Sequence, residues 1–260
     1  MNESTPIGIL EERHSRILEL LGEVGSVRVG DLSRRFRVSE VTIRTDLERL
    51  ARQGFLARFR GGAVAHIQTR SSSAFADRLR EGYAEKERIA ARAAEMVKPG
   101  DTLLLDAGTT VLELAKRLEG CSPLTVVTNA LNTAATLSSI PDIHVIMAGG
   151  SVSPETVSTI GYIAERDIAD LVVDKVFLGT HSFDPELGMM DISVEVARVK
   201  RAMIEAGRQV VLLADSSKFA KRALAKVAPL GSVDMLVTDT GLGDAETSAI
   251  EVLGVEVVRV

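Results

Sequence analysis

No tryptophan occurs among these 260 residues, and tyrosine occurs only twice. Proteins that hold single-stranded nucleic acid stack bases on aromatic faces, so this composition argues against that mode of binding. The single cysteine, Cys121, cannot close an internal disulfide, which suits a reducing compartment; we expect a cytoplasmic protein. No apolar run approaches the roughly 18–20 residues of a membrane span. The first residues, Met1-Asn2-Glu3-Ser4, lack the basic and apolar stretches of a secretory signal. No membrane partner is expected. The four histidines (His14, His66, His144, His181) are scattered, with no metal-ligand spacing and no Ser/His/Asp signature, so neither a metal nor a cofactor is expected.

What is present is a charge asymmetry hidden by the overall balance of −5. Between Arg28 and Arg60 stand nine Arg, no Lys and four acids (Asp31, Glu40, Asp46, Glu48), a net of +5 that leaves −10 for the remainder. A basic segment ahead of an acidic body is the footprint of a protein that binds a phosphate backbone.

Helical patterns open the chain over 10–21, 29–36 and 39–52. The first sets Ile17, Leu18 and Leu21 on one side and ends at Gly22. The second buries Val29, Leu32 and Phe36. The third starts at Ser39, a good N-cap side chain, and stops before Gly54. Residues 55–60 then alternate towards Gly61-Gly62 as a short hairpin would. Three helices and a hairpin within about 55 residues describe a winged helix-turn-helix. We place this domain at 10–65, a linker at 66–80 around Ser71-Ser72-Ser73, and an effector domain at 81–260.

On the third helix Ile43, Leu47 and Leu50 fall within an arc of about 60°, an apolar stripe for the core. The opposite face presents Val41, Thr45, Glu48 and Arg52, flanked by Arg44 and Arg49. A helix fits the major groove of double-stranded DNA with its N-terminal residues at base edges, which makes Glu40, Val41, Thr42 and Thr45 the expected readers. Arg44, Arg49 and Arg52 suit phosphates. Arg37 and Ser39 at the helix entrance, with Arg58 and Arg60 on the wing, complete the DNA-binding set. A helical hairpin of this charge could also dock a protein partner.

Past residue 80, strand-like runs (102–106, 125–128, 144–148, 175–179, 209–214, 235–238, 256–260) alternate with helical patterns (85–97, 110–118, 129–138, 162–171, 194–206, 245–253). This is an open α/β fold with a mainly parallel sheet. The turn Asp106-Ala107-Gly108-Thr109-Thr110 lies between a strand and a helix, where free N–H groups receive phosphate. Thr128-Asn129 and Gly149-Gly150 follow other strands, and ligands of open sheets lie beyond such carboxyl ends. Together these tips favour a pocket for a small phosphorylated polyol. Lys200 and Lys218 are candidate cations, although each alone reads as a solvated surface lysine. Asp215 with Lys218 suits either a ligand or a structural network. Lys175 reads as structural.

The run Val38-Ser39-Glu40-Val41-Thr42-Ile43-Arg44-Thr45-Asp46-Leu47, followed by Leu50, Gly54 and Gly61-Gly62-Ala63, resembles the signature of DeoR-type bacterial regulators. The order Leu105-Asp106-Ala107-Gly108-Thr109-Thr110, Val127-Thr128-Asn129, Gly149-Gly150, Asp174-Lys175-Val176-Phe177-Leu178-Gly179, Lys200-Arg201-Ala202-Met203-Ile204 and Leu213-Ala214-Asp215-Ser216-Ser217-Lys218-Phe219 extends the resemblance to nearly the whole chain. It implies a sensor fold similar to ribose-5-phosphate isomerase and glucosamine-6-phosphate deaminase. It also implies a sugar-phosphate effector, repression of a sugar or polyol catabolism operon, and assembly into dimers or tetramers. Helix-turn-helix dimers suit paired half-sites. Three positions depart: Thr45 stands where the family usually has Arg, Arg60 where it has His, and Arg28 where Ser or Thr often caps the second helix. The run 189–195 also differs from the usual acidic one. An isomerase or deaminase with an appended DNA module is the rival reading, with Asp106 as its base, but no compact acid/base group accompanies the turn. A nonspecific DNA-coating protein fits poorly with an acidic body.

Overall fold

A helix needs its first N–H groups satisfied, and Ser39 can do this where Arg28 cannot. Both sites behave accordingly in the computed structural model, which describes residues 7–52, 55–59, 61–65 and 72–260. The chain divides into two compact units, residues 1–76 and 77–260.

In the first unit, α1 (Ile7–Val24), α2 (Val29–Phe36) and α3 (Glu40–Arg52) enclose a core that includes Ile17, Leu21, Leu32, Ile43, Leu47 and Leu50. Gly22, expected to stop α1, lies inside it, since a helical glycine costs only about 1 kcal/mol. The stop is Gly25, at φ 73°, whose N–H bonds the Leu21 carbonyl at 2.9 Å. Arg28 makes no side-chain cap at α2. The expected hairpin pairs β2 (Leu56–Phe59) with β3 (Gly62–Ala65), and a third strand, β1 (Ser26–Arg28), joins on the far side of β3. At three residues, β1 is too short to show a period. A Cβ on Gly62 would sit 2.1 Å from the Val27 carbonyl oxygen, so the approach of β1 requires that glycine. Arg60 and Gly54 lie outside the described residues, as does the side chain of Arg52.

Asp46 binds the back of α3 to α1. Arg13 donates to its two oxygens at 2.7 and 3.2 Å, and His14 Nε2 lies 3.1 Å from Oδ1. An acid counted against the basic segment is thus an internal strut, buried with Arg13.

The predicted linker is helical in its second half. In α4 (Ser72–Arg80), Phe75 and Leu79 are buried one turn apart. The serine triplet and the brevity of this stretch hide that spacing. Then follow α5 (Tyr83–Ala94), β4 (Thr102–Leu105), α6 (Thr109–Ala115), β5 (Leu124–Thr128), α7 (Leu131–Leu137) and β6 (Ile143–Met147). After these come β7 (Ser151–Ser153), β8 (Ser158–Ile160), α8 (Tyr162–Ala169), β9 (Val173–Leu178), β10 (Ser182–Asp184) and β11 (Gly188–Asp191). The chain closes with α9 (Val194–Ala206), β12 (Gly207–Leu213), β13 (Ala225–Ala228), β14 (Met235–Thr238), α10 (Asp244–Glu251) and β15 (Glu256–Arg259).

The seven predicted strands form one parallel sheet, in the order β15-β14-β12-β9-β4-β5-β6. Both faces of the central strands are covered, which is why β4, β5 and β14 read as near-continuous apolar runs rather than alternating ones. Leu103, Leu105, Phe177, Val211 and Leu213 pack with α5, α6 and α7 on one face. Leu104, Val176, Leu178, Val210 and Leu212 pack with α8, α9 and α10 on the other. Two antiparallel pieces were not expected: the hairpin β7-β8 and the sheet β10-β11-β13. Their strands are three or four residues long and take their order from tertiary pairing.

Candidate functional site

On α3, Ile43, Leu47 and Leu50 face inward at 1% exposure or less, as their spacing requires. Ser39 Oγ accepts the Thr42 N–H at 3.1 Å and pairs with Thr42 Oγ1 at 2.9 Å, which caps the helix. Val41, Arg44, Thr45, Glu48 and Arg49 are exposed on the outer face. Arg44 pairs with Glu40 at 2.6 Å, and Arg58 on β2 stands 4.0 Å from Glu48. Exposed pairs of this kind contribute about 1 kcal/mol or less, so a phosphate can take either guanidinium. Arg49 has no ion-pair partner among the described residues. Arg37, at φ 53°, is the exposed left-handed residue that ends α2.

In the second unit the chain starts the sheet at β4, steps outward to β5 and β6, then returns to the other side of β4 with β9. It continues outward through β12, β14 and β15. The carboxyl ends of β4 and β9 are therefore where neighbouring connections part, the place at which open α/β sheets bind ligands. The Asp106–Thr110 turn and Gly179-Thr180-His181 occupy those two ends.

Asp106 is 1% exposed, and its Oδ2 accepts from Lys200 Nζ at 2.6 Å and from the Gly179 N–H at 2.9 Å. Lys200 also donates to the Gly179 carbonyl at 2.6 Å and lies 3.0 Å from Asp191 Oδ2. The expectation of a solvated Lys200 is corrected: it is 4% exposed and welds β4, β9, β11 and α9 together. Asp106, expected to hold the ligand, thus also braces the turn from beneath through Oδ2. Burial, reinforced by the nearby Asp191, raises the Asp106 pKa despite the lowering pull of Lys200. Burial alone would lower Lys200, but its two carboxylates outweigh it and hold the ammonium above its ordinary range. A proton-abstracting base needs a free carboxylate, and this one is bound on the side that the structure records.

Above the strut, Thr109 and Thr110 are buried at 8% and 7%, and neither hydroxyl has a hydrogen-bond partner among the described residues. A Cβ on Gly108 would meet no atom within 4 Å. Thr128 is corrected: its hydroxyl donates to the Leu105 carbonyl at 2.7 Å and accepts from the Ala130 N–H at 3.0 Å, so it joins β5 to β4. Asn129 Nδ2 donates to the Thr159 carbonyl at 3.0 Å, while Oδ1 is buried without a partner; Ser182 Oγ is likewise buried and unpartnered. Gly149 and Gly150 serve packing, since a Cβ on Gly150 would lie 2.6 Å from the Ile160 carbonyl oxygen and 3.3 Å from Ala164. Asp215 is buried and caps its own turn, accepting the Ser217 N–H at 3.2 Å. Lys175 pairs with Asp101 at 2.7 Å, a structural role as expected.

Three cationic groups at this edge were missed. Lys86 on α5 is 3% exposed and donates to the carbonyls of Arg78 and Glu81, closing the C-terminal end of α4. Its pKa is lowered, chiefly by burial. Arg78 reaches the Glu155 carbonyl, and burial lowers its pKa against the pull of Asp191. His181 is held below its ordinary range by burial, then by Lys218, Arg78 and Lys221, with Asp191 opposing. Lys86 in turn feels Asp215, Lys218 and Arg78. Lys218 and Arg78 thus act on both Lys86 and the neutral His181, with Asp215 opposing at the first and Asp191 at the second. Only Lys218 was legible beforehand, because it sits next to a recognisable strand end.

Residues 13–69 match the DeoR-like helix-turn-helix domain, and residues 81–240 match the DeoR C terminal sensor domain. An HTH-type transcriptional regulator of Bacillus subtilis, YulB, is 40% identical over 252 residues, covering 97% of each chain. The glycerol-3-phosphate regulon repressor of Escherichia coli K12 is 36% identical over 228 residues, covering 88% of this chain and 90% of its own. Among solved structures, a ribose 5 phosphate isomerase A from Neisseria gonorrhoeae aligns with a TM-score of 0.39 at 18% identity, over 53% of both chains.

Proposed function

The chain belongs to the DeoR family of helix-turn-helix transcription regulators, and from that premise we propose that it represses a sugar or polyol catabolism operon and releases its operator when a phosphorylated sugar binds the sensor unit. It is a regulator and not an enzyme, as its relatives are. Among the described residues no helix is long and apolar enough to cross a membrane.

The observation that supports the ligand class is the place of the Asp106–Thr110 turn and of Gly179-Thr180-His181 at the carboxyl ends of β4 and β9, where neighbouring connections part. A phosphate there would find donors in the hydroxyls of Thr109 and Thr110, which have no partner among the described residues. The unpartnered Asn129 Oδ1 and Ser182 Oγ suit the hydroxyls of a polyol, because a buried polar atom left unpaired costs free energy that a ligand hydroxyl recovers. A relative named for the glycerol-3-phosphate regulon fits a small polyol phosphate. DNA contact is assigned to Glu40, Val41, Thr42, Arg44, Thr45 and Arg49 on α3, to Arg37 and Ser39 before it and to Arg58 on β2, with Arg52 and Arg60 kept from the sequence expectation.

Release follows from linkage. A ligand lowers DNA affinity only by binding the DNA-incompetent arrangement more tightly, and DNA weakens the ligand by the same factor. Assembly as a dimer or tetramer sets the spacing of two recognition helices, and a change in that spacing is the expected output. The test is a gel-shift titration on the DNA upstream of the chain's own gene, with a panel of sugar phosphates. One compound should release the duplex at micromolar to millimolar concentration while its unphosphorylated sugar does not. A bound duplex that no member of the panel releases sinks the effector assignment.

A further inference from the structure

We propose that the base-reading surface of α3 is apolar at its centre and recognises thymine methyl groups through Val41 and Thr45; this rests on the operator-binding reading above.

Val41 is 68% exposed, and Thr45, one turn later on the same outer face, is exposed as well. An aliphatic side chain held in water at the N-terminal end of a helix gains by being covered there. The polar groups around it are already engaged. Thr45 Oγ1 donates its hydrogen to the Val41 carbonyl at 3.0 Å, so towards a base it offers its methyl and an acceptor oxygen but no donor. Ser39 and Thr42 bond each other through their hydroxyls at 2.9 Å. Glu40 and Arg44 pair at 2.6 Å. These polar groups keep spare donors or acceptors and can still reach base edges beside them, but the Val41 side chain has neither, so an apolar partner is what it can take. In the major groove the one apolar feature of a base edge is the C5-methyl of thymine, which aliphatic groups and the Thr methyl contact. Thr45 also cannot make the bidentate contact to guanine O6 and N7 that a guanidinium makes. The flanking cations, Arg44 and Arg49, are left to the phosphates on either side.

The experiment selects a high-affinity duplex from a random library with the full-length chain, then replaces each thymine in turn by uracil, which removes the methyl alone. Wild-type affinity should fall about fourfold per methyl lost, at one or two positions in each half-site. Val41→Ala should lose part, and Thr45→Ser all, of the sensitivity to uracil at one of those positions, with the salt dependence of binding unchanged. Because both side chains are exposed, their thermal melts should match the wild type. A tightly bound duplex indifferent to uracil everywhere overturns this proposal and leaves operator binding standing. Failure to select any sequence overturns operator binding, and this proposal with it.

Discussion

Each unit buries an ionic cluster, one behind the helix that carries the candidate readers and the other directly beneath a crevice. In the first, Arg13, His14 and Asp46 lie behind α3, so the reading face carries no part of the strut, and Glu40, Val41 and Thr45 are exposed with Thr42 half-buried. In the second, Lys200 with Asp106 and Asp191 lies directly under the crevice at the carboxyl ends of β4 and β9. A surface that reads many base pairs needs solvent-facing side chains on a rigid rod. A crevice for one small anion needs its walls fixed and its charges partly desolvated, where electrostatics are stronger. The difference explains why sequence reasoning placed the reading helix side chain by side chain, yet mistook the lysine of the crevice for a solvated one.

The comparison can be broken most directly at Lys200. Lys200→Ala strands two buried carboxylates and should cost about 3–5 kcal/mol in denaturant unfolding of the sensor unit. A loss below that of any surface lysine would remove the strut. Asp46→Ala should cost somewhat less, about 3 kcal/mol, because it strands one buried guanidinium, that of Arg13, rather than two carboxylates. DNA affinity should fall along with stability, since α3 loses its tie to α1.

Smaller changes sharpen the comparison without disturbing either strut. Thr109→Val should leave DNA binding intact and raise the effector concentration needed for release about tenfold, the value of one hydrogen bond to an anion. Equal loss of DNA binding in that variant would contradict the division of labour. Arg49→Ala should weaken every duplex alike and reduce the slope of log affinity against log salt by about 0.9; an unchanged slope removes Arg49 from the phosphate contacts. The smallest effect concerns pH. His181 has a folded pKa depressed below 6.5, so the unfolded chain binds its proton more readily. Its contribution to stability is present above pH 6.5 and is lost as pH falls towards the folded value. His181→Asn should flatten the stability profile of the sensor unit across that window.

The strands of the sheet were legible because the central ones are covered on both faces and carry apolar runs, with helical patterns between most of them. The recognition helix was legible because Ser39 caps it and Ile43, Leu47 and Leu50 repeat at helical spacing. Other features left no such trace. β1, β7 and β10 are three residues long, and α4 hides behind a serine triplet. Thr128 looked like a ligand group because it ends a strand, but the Leu105 carbonyl one strand away takes its hydroxyl.

By itself the sequence determined the class of each unit: a basic, capped helix with a hairpin, then strands and helices alternating around a doubly covered sheet. These depend on neighbours along the chain, whose spacing is written in residue order. Tertiary structure alone decided which charges are buried. Lys200 meets Asp106 from 94 positions away, and Arg13 meets Asp46 from 33. A lysine on a helix reads as solvated until the fold brings carboxylates to it, because the sign of its burial energy depends on partners that no local pattern encodes.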